Sequence, residues 1–264
     1  MPEFLDQTGR KVILPNIPKR IISLVPSQTE LLFDLGLRNE IIGITKFCIH
    51  PEEWFHSKTR IGGTKQLNLE KIKALNPDLI IANKEENTKE QIEELMNDFS
   101  VWTSDVKTLD DALEMIDSIG KMVDKEGEAK NIIKQINNNF NILLKSSFKK
   151  VLYLIWKDPF MTINKDTFIN DMIQRCGLDN VFSNRPDRYP EITIDDIIKA
   201  NPELVLLPSE PYPFKEKHVQ KIKNSIPNST VILVNGEYFS WYGSRLIHAP
   251  KYFRKILHLK KNNI

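Results

Sequence analysis

Apolar and polar positions alternate between two periods along this chain. Short continuous apolar runs lie at residues 21–25, 41–45, 79–82, 151–156, 204–207 and 231–234. Their length is that of strands, and unbroken runs suit strands covered on both faces of a parallel sheet. Between them the spacing turns helical. Ser27 with Glu30 three positions on has the form of a capping box, and Gly36 is placed to end that helix. Asn68 is a candidate N-cap for a helix that Pro77 ends, because proline cannot continue the ladder. A further helix is expected over 89–99, with Val101-Trp102 opening a strand. At the amino end, Phe4-Leu5 and Val12-Ile13-Leu14 flank the turn-rich Asp6-Gln7-Thr8-Gly9 and predict a hairpin. Strands alternating with helices of this size indicate parallel α/β layering.

From Leu109 the helical period persists. Leu109, Leu113, Ile116, Ile119 and Val123 form one face; Gly127 interrupts; Ala129, Ile132, Ile133, Ile136, Phe140 and Leu143 form another. The second helix, expected over 125–146, would be about 30 Å long at 1.5 Å per residue, enough to bridge two lobes. The α/β rhythm then restarts, with a strand over 151–156, a helix over 168–176 ended by Gly177, and a last helix over 250–259. Asn76-Pro77 recurs as Asn201-Pro202, an offset of 201 − 76 = 125. At that offset Leu69 meets Ile194, Glu70 meets Asp195, Ile72 meets Ile197 and Leu79 meets Leu204. The expectation is an α/β fold of two similar lobes with mostly parallel sheets. The lobes are 1–107 and 147–264, joined by a helical segment over 108–146. A ligand cleft would lie between them, beyond the carboxyl ends of the strands.

Composition narrows the classes. Lys plus Arg is 37 and Asp plus Glu 35, a net charge of +2, which speaks against nucleic acid as the main partner. Two cysteines make no disulfide framework. Ten glycines are few, and neither phosphate-cradling glycine motif occurs. No apolar run approaches a membrane span, and residues 1–30 lack the apolar region of a signal peptide.

Several stretches, taken in order, are similar to one family. They are Asp6-Gln7-Thr8-Gly9-Arg10; Pro18-Lys19-Arg20-Ile21-Ile22-Ser23-Leu24; Val25-Pro26-Ser27-Gln28-Thr29-Glu30; and Ile42-Gly43-Ile44-Thr45. Ile61-Gly62-Gly63, the stretch from Asn68 to Ile80, and Phe239-Ser240-Trp241-Tyr242-Gly243-Ser244-Arg245 complete the set. Together they resemble the solute-binding proteins of ABC importers of the cobalamin and siderophore type, closest to the cobalamin-binding branch. The resemblance implies two lobes on a rigid backbone helix. It also implies a corrinoid, cobalamin or a precursor, as transported ligand, with a ferric siderophore or haem as the alternative. The implied partner is a membrane permease, and the implied place extracytoplasmic, although the chain as written shows no leader. A monomer is expected.

Candidate ligand contacts are the loops that leave strand ends. Pro26, Ser27, Gln28 and Thr29 open a helix, whose N–H groups suit a polar or anionic group, or simply form a cap. For Phe47 the resemblance implies an aromatic lying flat on a macrocycle; a ring tucked onto its own lobe is the alternative. Cys48 follows it. Cys48, His50 and His56 make a poor metal set, since stable sites take three or four ligands, and no metal is expected. Gly63, Thr64 and Lys65 form a turn where backbone can approach a ligand. Trp156 and Lys157 follow the first strand of the second lobe, where Trp156 facing Phe47 would sandwich a flat ligand. Trp241, Tyr242 and Arg245 follow the last strand, with Arg245 as a fork for ligand oxygens or a structural ion pair. Tyr189 and Arg188 are weaker candidates for capping the cleft. Glu70 and Asp195 stand two residues past their N-caps, where the helix dipole alone favours an acid. The resemblance implies that one such carboxylate per lobe docks onto the permease.

Nothing in the chain singles out a nucleophile with its base, so no catalytic residue is expected. The rival from another class, a doubly wound enzyme acting on a nucleotide-like substrate, is disfavoured by the missing glycine motifs.

Overall fold

The computed structural model describes residues 2–143 and 150–257. Two compact units are drawn from Met1–Val106, Asp110–Ile136 and Tyr242–Arg245, and from Lys107–Leu109, Asn137–Trp241 and Leu246–Ile264.

The first unit opens on the expected hairpin, β1 (Glu3–Leu5) antiparallel to β2 (Lys11–Ile13). Asp6 makes its turn, with Oδ1 accepting from the N–H of Thr8 at 2.9 Å and of Arg10 at 2.8 Å. There follow β3 (Ile21–Ser23), α1 (Pro26–Asp34), β4 (Ile41–Ile44), α2 (Glu52–Ser57), β5 (Thr59–Arg60) and α3 (Leu69–Leu75). Then come β6 (Leu79–Asn83), α4 (Lys89–Met96), β7 (Val101–Ser104), α5 (Leu109–Met122) and α6 (Glu126–Asn141). The sheet runs β5-β4-β3-β6-β7, with every neighbouring pair parallel. All residues of β3 and β6 are buried, which suits their mostly apolar sequences; the polar Ser23 and Asn83 stand at their carboxyl ends. From β3 the chain moves outward to β4 and β5, then returns to β6 on the other side. Such a reversal opens a crevice at the carboxyl ends of the two central strands.

The second unit holds β8 (Lys150–Tyr153), β9 (Phe160–Met161), α7 (Phe168–Arg175), β10 (Asp179–Asn180), β11 (Glu191–Ile192) and α8 (Ile194–Ala200). It continues with β12 (Leu204–Pro208), α9 (Glu216–Ser225), β13 (Thr230–Val234), α10 (Glu237–Ser240) and α11 (Ala249–Leu257). Its parallel sheet runs β10-β8-β12-β13, the same order as β4-β3-β6-β7, and β9 pairs antiparallel with β11. Its core gathers Leu152, Leu154, Ile197, Val205, Leu207 and Ile222. The α/β class with central parallel sheets is therefore as expected. The repeat is structural too. α3 and α8 begin and end at the same offset, as do β6 and β12, and both helices stop on an asparagine in the left-handed region, Asn76 at φ 43° and Asn201 at φ 44°. Asparagine tolerates that conformation, and the proline that follows cannot extend the helix.

Several expectations need correction. Ser27 does not cap α1. The N-cap is Val25, Pro26 takes the first helical position, and there is no side-chain cap; the fixed φ of proline suits that position. Gly36, at φ +87°, does end the helix, with the Leu37 N–H reaching the carbonyl of Leu32 at 3.2 Å. The break between α5 and α6 falls at 123–125, where Asp124 turns left-handed at φ 56°, while Gly127 lies inside α6. The described helix is 16 residues, about 24 Å, and residues 144–146 of the expected one lie outside the described residues, as do 258 and 259 of the last helix. The strands expected to run to Val25 and Trp156 end at Ser23 and Tyr153.

Candidate functional site

At the carboxyl edge of the first sheet, buried side chains fix the loops. Thr29 is a hub: its hydroxyl donates to the Val25 carbonyl at 2.9 Å and lies 2.8 Å from Ser23 Oγ and 3.1 Å from Cys48 Sγ. The same sulfur lies 3.1 Å from Thr45 Oγ1. Burial pushes the Cys48 thiol up, so it stays protonated. Gln28 is wholly buried, and its Nε2 donates to Ser104 Oγ at 2.6 Å and to the Ala82 carbonyl at 3.3 Å. Gln28, Thr29 and Cys48, offered from sequence as ligand contacts, are thus buried with partners in their own unit. They tie α1 and the loop after β4 to the central strands. Ser27 is also buried, beside Tyr242, whose hydroxyl titrates well above its ordinary range because it is buried.

The loops outside this layer are pinned by backbone and amide contacts. Gly62, at φ +106°, lets its carbonyl accept the Lys46 N–H at 2.8 Å. A Cβ on Gly63 would lie 3.2 Å from Phe47 Cε2, so the glycine admits the ring of Phe47 against the turn. Phe47 itself is 51% exposed. The Lys46 ammonium is 5.1 Å from its centroid, inside cation–π range. After β6, Asn83 Oδ1 accepts the N–H groups of Glu85 and Glu86, both at 2.9 Å. Asn87 Nδ2 donates to the Thr64 carbonyl at 3.1 Å, and Lys65 Nζ to that of Glu85. Thr64 and Lys65 are thereby joined to the 84–87 loop, which begins at the reversal between β3 and β6.

Arg245 lies in the first unit as a bidentate partner of Glu30, Nε to Oε2 at 2.9 Å and an NH2 group to Oε1 at 2.6 Å. The two side chains are 11% and 19% exposed. Burial raises the Glu30 carboxyl above its usual range, and Arg245 pulls against that rise. Of the two roles open from sequence, the ion pair is formed within this unit. Next to it, a Cβ on Gly243 would come 2.4 Å from the Ser27 carbonyl, so this segment needs glycine to lie on the start of α1.

The edge of the second sheet is aromatic. Trp156 follows β8, is 42% exposed, and has the ring of Tyr212 against it at 5.4 Å and 73°. Tyr212 in turn packs on Phe214 at 4.7 Å. Lys157 pairs with Asp158, which is held at φ 64° in the same loop. Trp241 differs from the expectation of a contact face. It is 6% exposed, and its indole N–H donates to Glu210 Oε1 at 2.9 Å. The 209–214 loop, which carries Glu210 and Tyr212 and follows β12, was not singled out from sequence. Its signal was its place, one strand from β8 across the reversal.

Arg188 and Tyr189 belong to the second unit and lie together, the guanidinium 5.8 Å from the ring. Glu70 and Asp195 are exposed at the second position of α3 and α8, behind Asn68 and Thr193, which cap as expected.

Three known proteins frame these edges. The vitamin B12-binding protein of Pectobacterium carotovorum subsp. carotovorum is 26% identical over 242 residues, 89% of this chain and 87% of that one. The uncharacterized ABC transporter substrate-binding lipoprotein YvrC of Bacillus subtilis is 26% identical over 261 residues, 92% of this chain and 81% of its own. A solved structure from Staphylococcus epidermidis, described as a possible iron-binding periplasmic solute-binding protein, has a TM-score of 0.78 at 25% identity, covering 92% of this chain and 100% of that one. The family described as periplasmic binding protein matches residues 21–227, which take in the central strands of both sheets, and the chain belongs to that family.

Proposed function

We propose that this protein binds a corrinoid, cobalamin or a precursor, and delivers it to an ABC importer. The coarser part follows from the family: this is a substrate-binding protein of the kind that serves ABC importers. The observation that carries the finer reading is the exposure of aromatics. Among the described residues, Phe47 and Trp156 are the exposed aromatic side chains, and each stands at the carboxyl edge of one sheet. A flat, partly apolar macrocycle is the ligand that such a face suits, because ring-on-ring contact adds to the area removed from water. Gly63 and Lys46 frame Phe47, and Lys157 stands beside Trp156. Pro26 and the Ser27 backbone start α1 at the same edge, and Thr64 and Lys65 border it. The reading is one of binding without chemistry.

The periplasmic binding protein family and the lipoprotein relative support an extracytoplasmic location for this reading, and no helix of the described residues is long and apolar enough to cross a membrane. Glu70 and Asp195, each exposed in the first turn of a repeat helix, are the proposed contacts with the permease. The iron-binding description of the structural relative favours one second reading, a ferric siderophore held by the same edges.

A visible-absorbance titration with cyanocobalamin, a ferric siderophore and haemin separates these. The expected outcome is binding of cyanocobalamin, weakened by roughly tenfold or more in Phe47→Ala and in Trp156→Ala, about the loss from removing one large buried contact. Preference for the ferric siderophore or haemin replaces the corrinoid. Unchanged affinity in both folded variants removes the aromatic faces from the site.

A further inference from the structure

At the aromatic edge of the second unit, two side-chain donors meet on the Glu210 carboxylate. Glu210 Oε1 accepts from the Trp241 indole N–H at 2.9 Å and from Ser240 Oγ at 2.7 Å. The residue before it is tied as well: the Ser209 N–H donates to the Val234 carbonyl at 2.9 Å, and Ser209 Oγ accepts the Gly236 N–H at 3.0 Å. A Cβ on Gly236 would come 2.9 Å from Glu210 Cγ and 3.0 Å from its carbonyl, so α10 closes directly on the loop. Two residues further, the same loop sets the ring of Tyr212 edge-on to Trp156.

We propose that Glu210 is a positioning residue, which fixes the 209–214 loop on Trp241 and Ser240 so that Tyr212 holds Trp156 with one face open for the ligand. The proposal rests on the reading of Trp156 as a ligand contact. Its chemistry is specific. The Trp241 and Ser240 donors converge on Oε1, so an acceptor is required at that point. Glutamine supplies the same oxygen; alanine supplies none. The route from Glu210 to Trp156 runs along the loop and through an aromatic edge, so losing the acceptor moves a side chain that the carboxylate does not itself hold.

The test uses the whole chain labelled with 5-fluorotryptophan, which reports its four tryptophans by fluorine NMR, with Trp156→Phe identifying the Trp156 signal. Glu210→Ala is expected to shift the Trp156 signal as well as that of Trp241. It should also weaken cyanocobalamin by roughly tenfold, the equivalent of one hydrogen bond to a charged acceptor. Glu210→Gln should keep both signals and the affinity near wild type. A Trp156 signal that stays in place in Glu210→Ala, or that moves equally in Glu210→Gln, overturns the proposal. Should Glu210→Ala not fold, Trp241→Phe removes the donor and keeps an aromatic, though smaller, ring; it must shift the Trp156 signal, and failure to do so also overturns the proposal. If wild type takes up no cyanocobalamin, the corrinoid reading fails, while the fluorine signals still decide whether Glu210 positions Trp156.

Discussion

The two units share a strand order and a repeated helix–turn–strand segment, yet the carboxyl edges of their sheets are built from different chemistry. In the first unit, small polar side chains fill the layer beneath the loops: Ser23, Thr29, Thr45 and Cys48 in one cluster, Gln28, Asn83 and Ser104 in another. In the second, the same layer carries Tyr153 on Phe239, Trp156 on Tyr212, and Trp241 on Glu210. The scaffold is a matter of apolar spacing and is met twice. Loop contents are free to diverge, because loops lie outside the strands that fix the core. A polar layer holds geometry through directional hydrogen bonds. An aromatic layer offers contact area and depends on few, well-placed acceptors. The comparison finds directional hydrogen bonds at the first edge and aromatic area mainly at the second, with Phe47 an exposed ring of the first unit.

The largest expected effect tests the side without a counterpart. Glu30 and Arg245 form a nearly buried bidentate pair, and removing one partner leaves an uncompensated charge. Arg245→Ala should cost about 3 kcal/mol of stability in chemical denaturation. The sign with pH is defined. Burial raises the folded carboxyl above its unfolded value, so the native state holds the extra proton and stability from this group falls as pH rises through that window. Arg245 opposes the rise; without it the folded value climbs further. The deficit of Arg245→Ala should therefore shrink as the pH is lowered from about 7 towards 5. A deficit independent of pH would mean that lost packing, and not the stranded carboxylate, causes it.

A smaller effect asks whether the repeat is energetic as well as geometric. Asn76 and Asn201 sit at φ 43° and 44° with ψ 66° and 62°, each before a proline. Alanine in the left-handed region costs about 1 to 2 kcal/mol. Asn76→Ala and Asn201→Ala should each lose that amount, within a few tenths of one another. A clear inequality would show that one unit absorbs the strained helix end better than the other.

What could be read from the sequence follows the same division. The repeat was legible because it lies in apolar spacing and in Asn-Pro, both local signals. α9 escaped because Val219 and Ile222 are the only two aliphatic side chains in its ten residues, too few to mark a helical face. The capping box of Ser27 and Glu30 fits the pattern and fails in the structure: Pro26 already occupies the first helical turn, and Glu30 is taken by a partner 215 positions away. Trp241 is buried through the same kind of pairing, its indole donating to Glu210 of another loop. Phe47 and Trp156, which follow strands directly, were legible and do stand exposed. Spacing predicts what a residue's neighbours in sequence decide. It is blind to pairings that the topology alone brings together.

The smallest effect sharpens the comparison at its closest match, the two helix starts. Asn68 caps α3 with its Oδ1 accepting the Lys71 N–H at 2.9 Å. Thr193 caps α8 reciprocally: its Oγ1 accepts the Asp196 N–H at 3.1 Å, while Asp196 Oδ2 accepts the Thr193 N–H at 2.9 Å. Lys71 and Asp196 are the equivalent positions of the repeat, so one cap contains a titrating group and the other does not. The backbone and hydroxyl of Thr193 hold the Asp196 carboxyl below its ordinary value. Its contribution is then fully present above the ordinary aspartate range and is lost as pH falls through the lowered folded value. Asn68→Ala should cost about 1 kcal/mol at every pH. Asp196→Asn should lose stability at neutral pH and converge on wild type in acid. Stability curves for Asp196→Asn and wild type that run parallel down to the acid limit would show that the capping box adds nothing beyond the threonine hydroxyl, and that the two helix starts are equivalent in energy as well as in place.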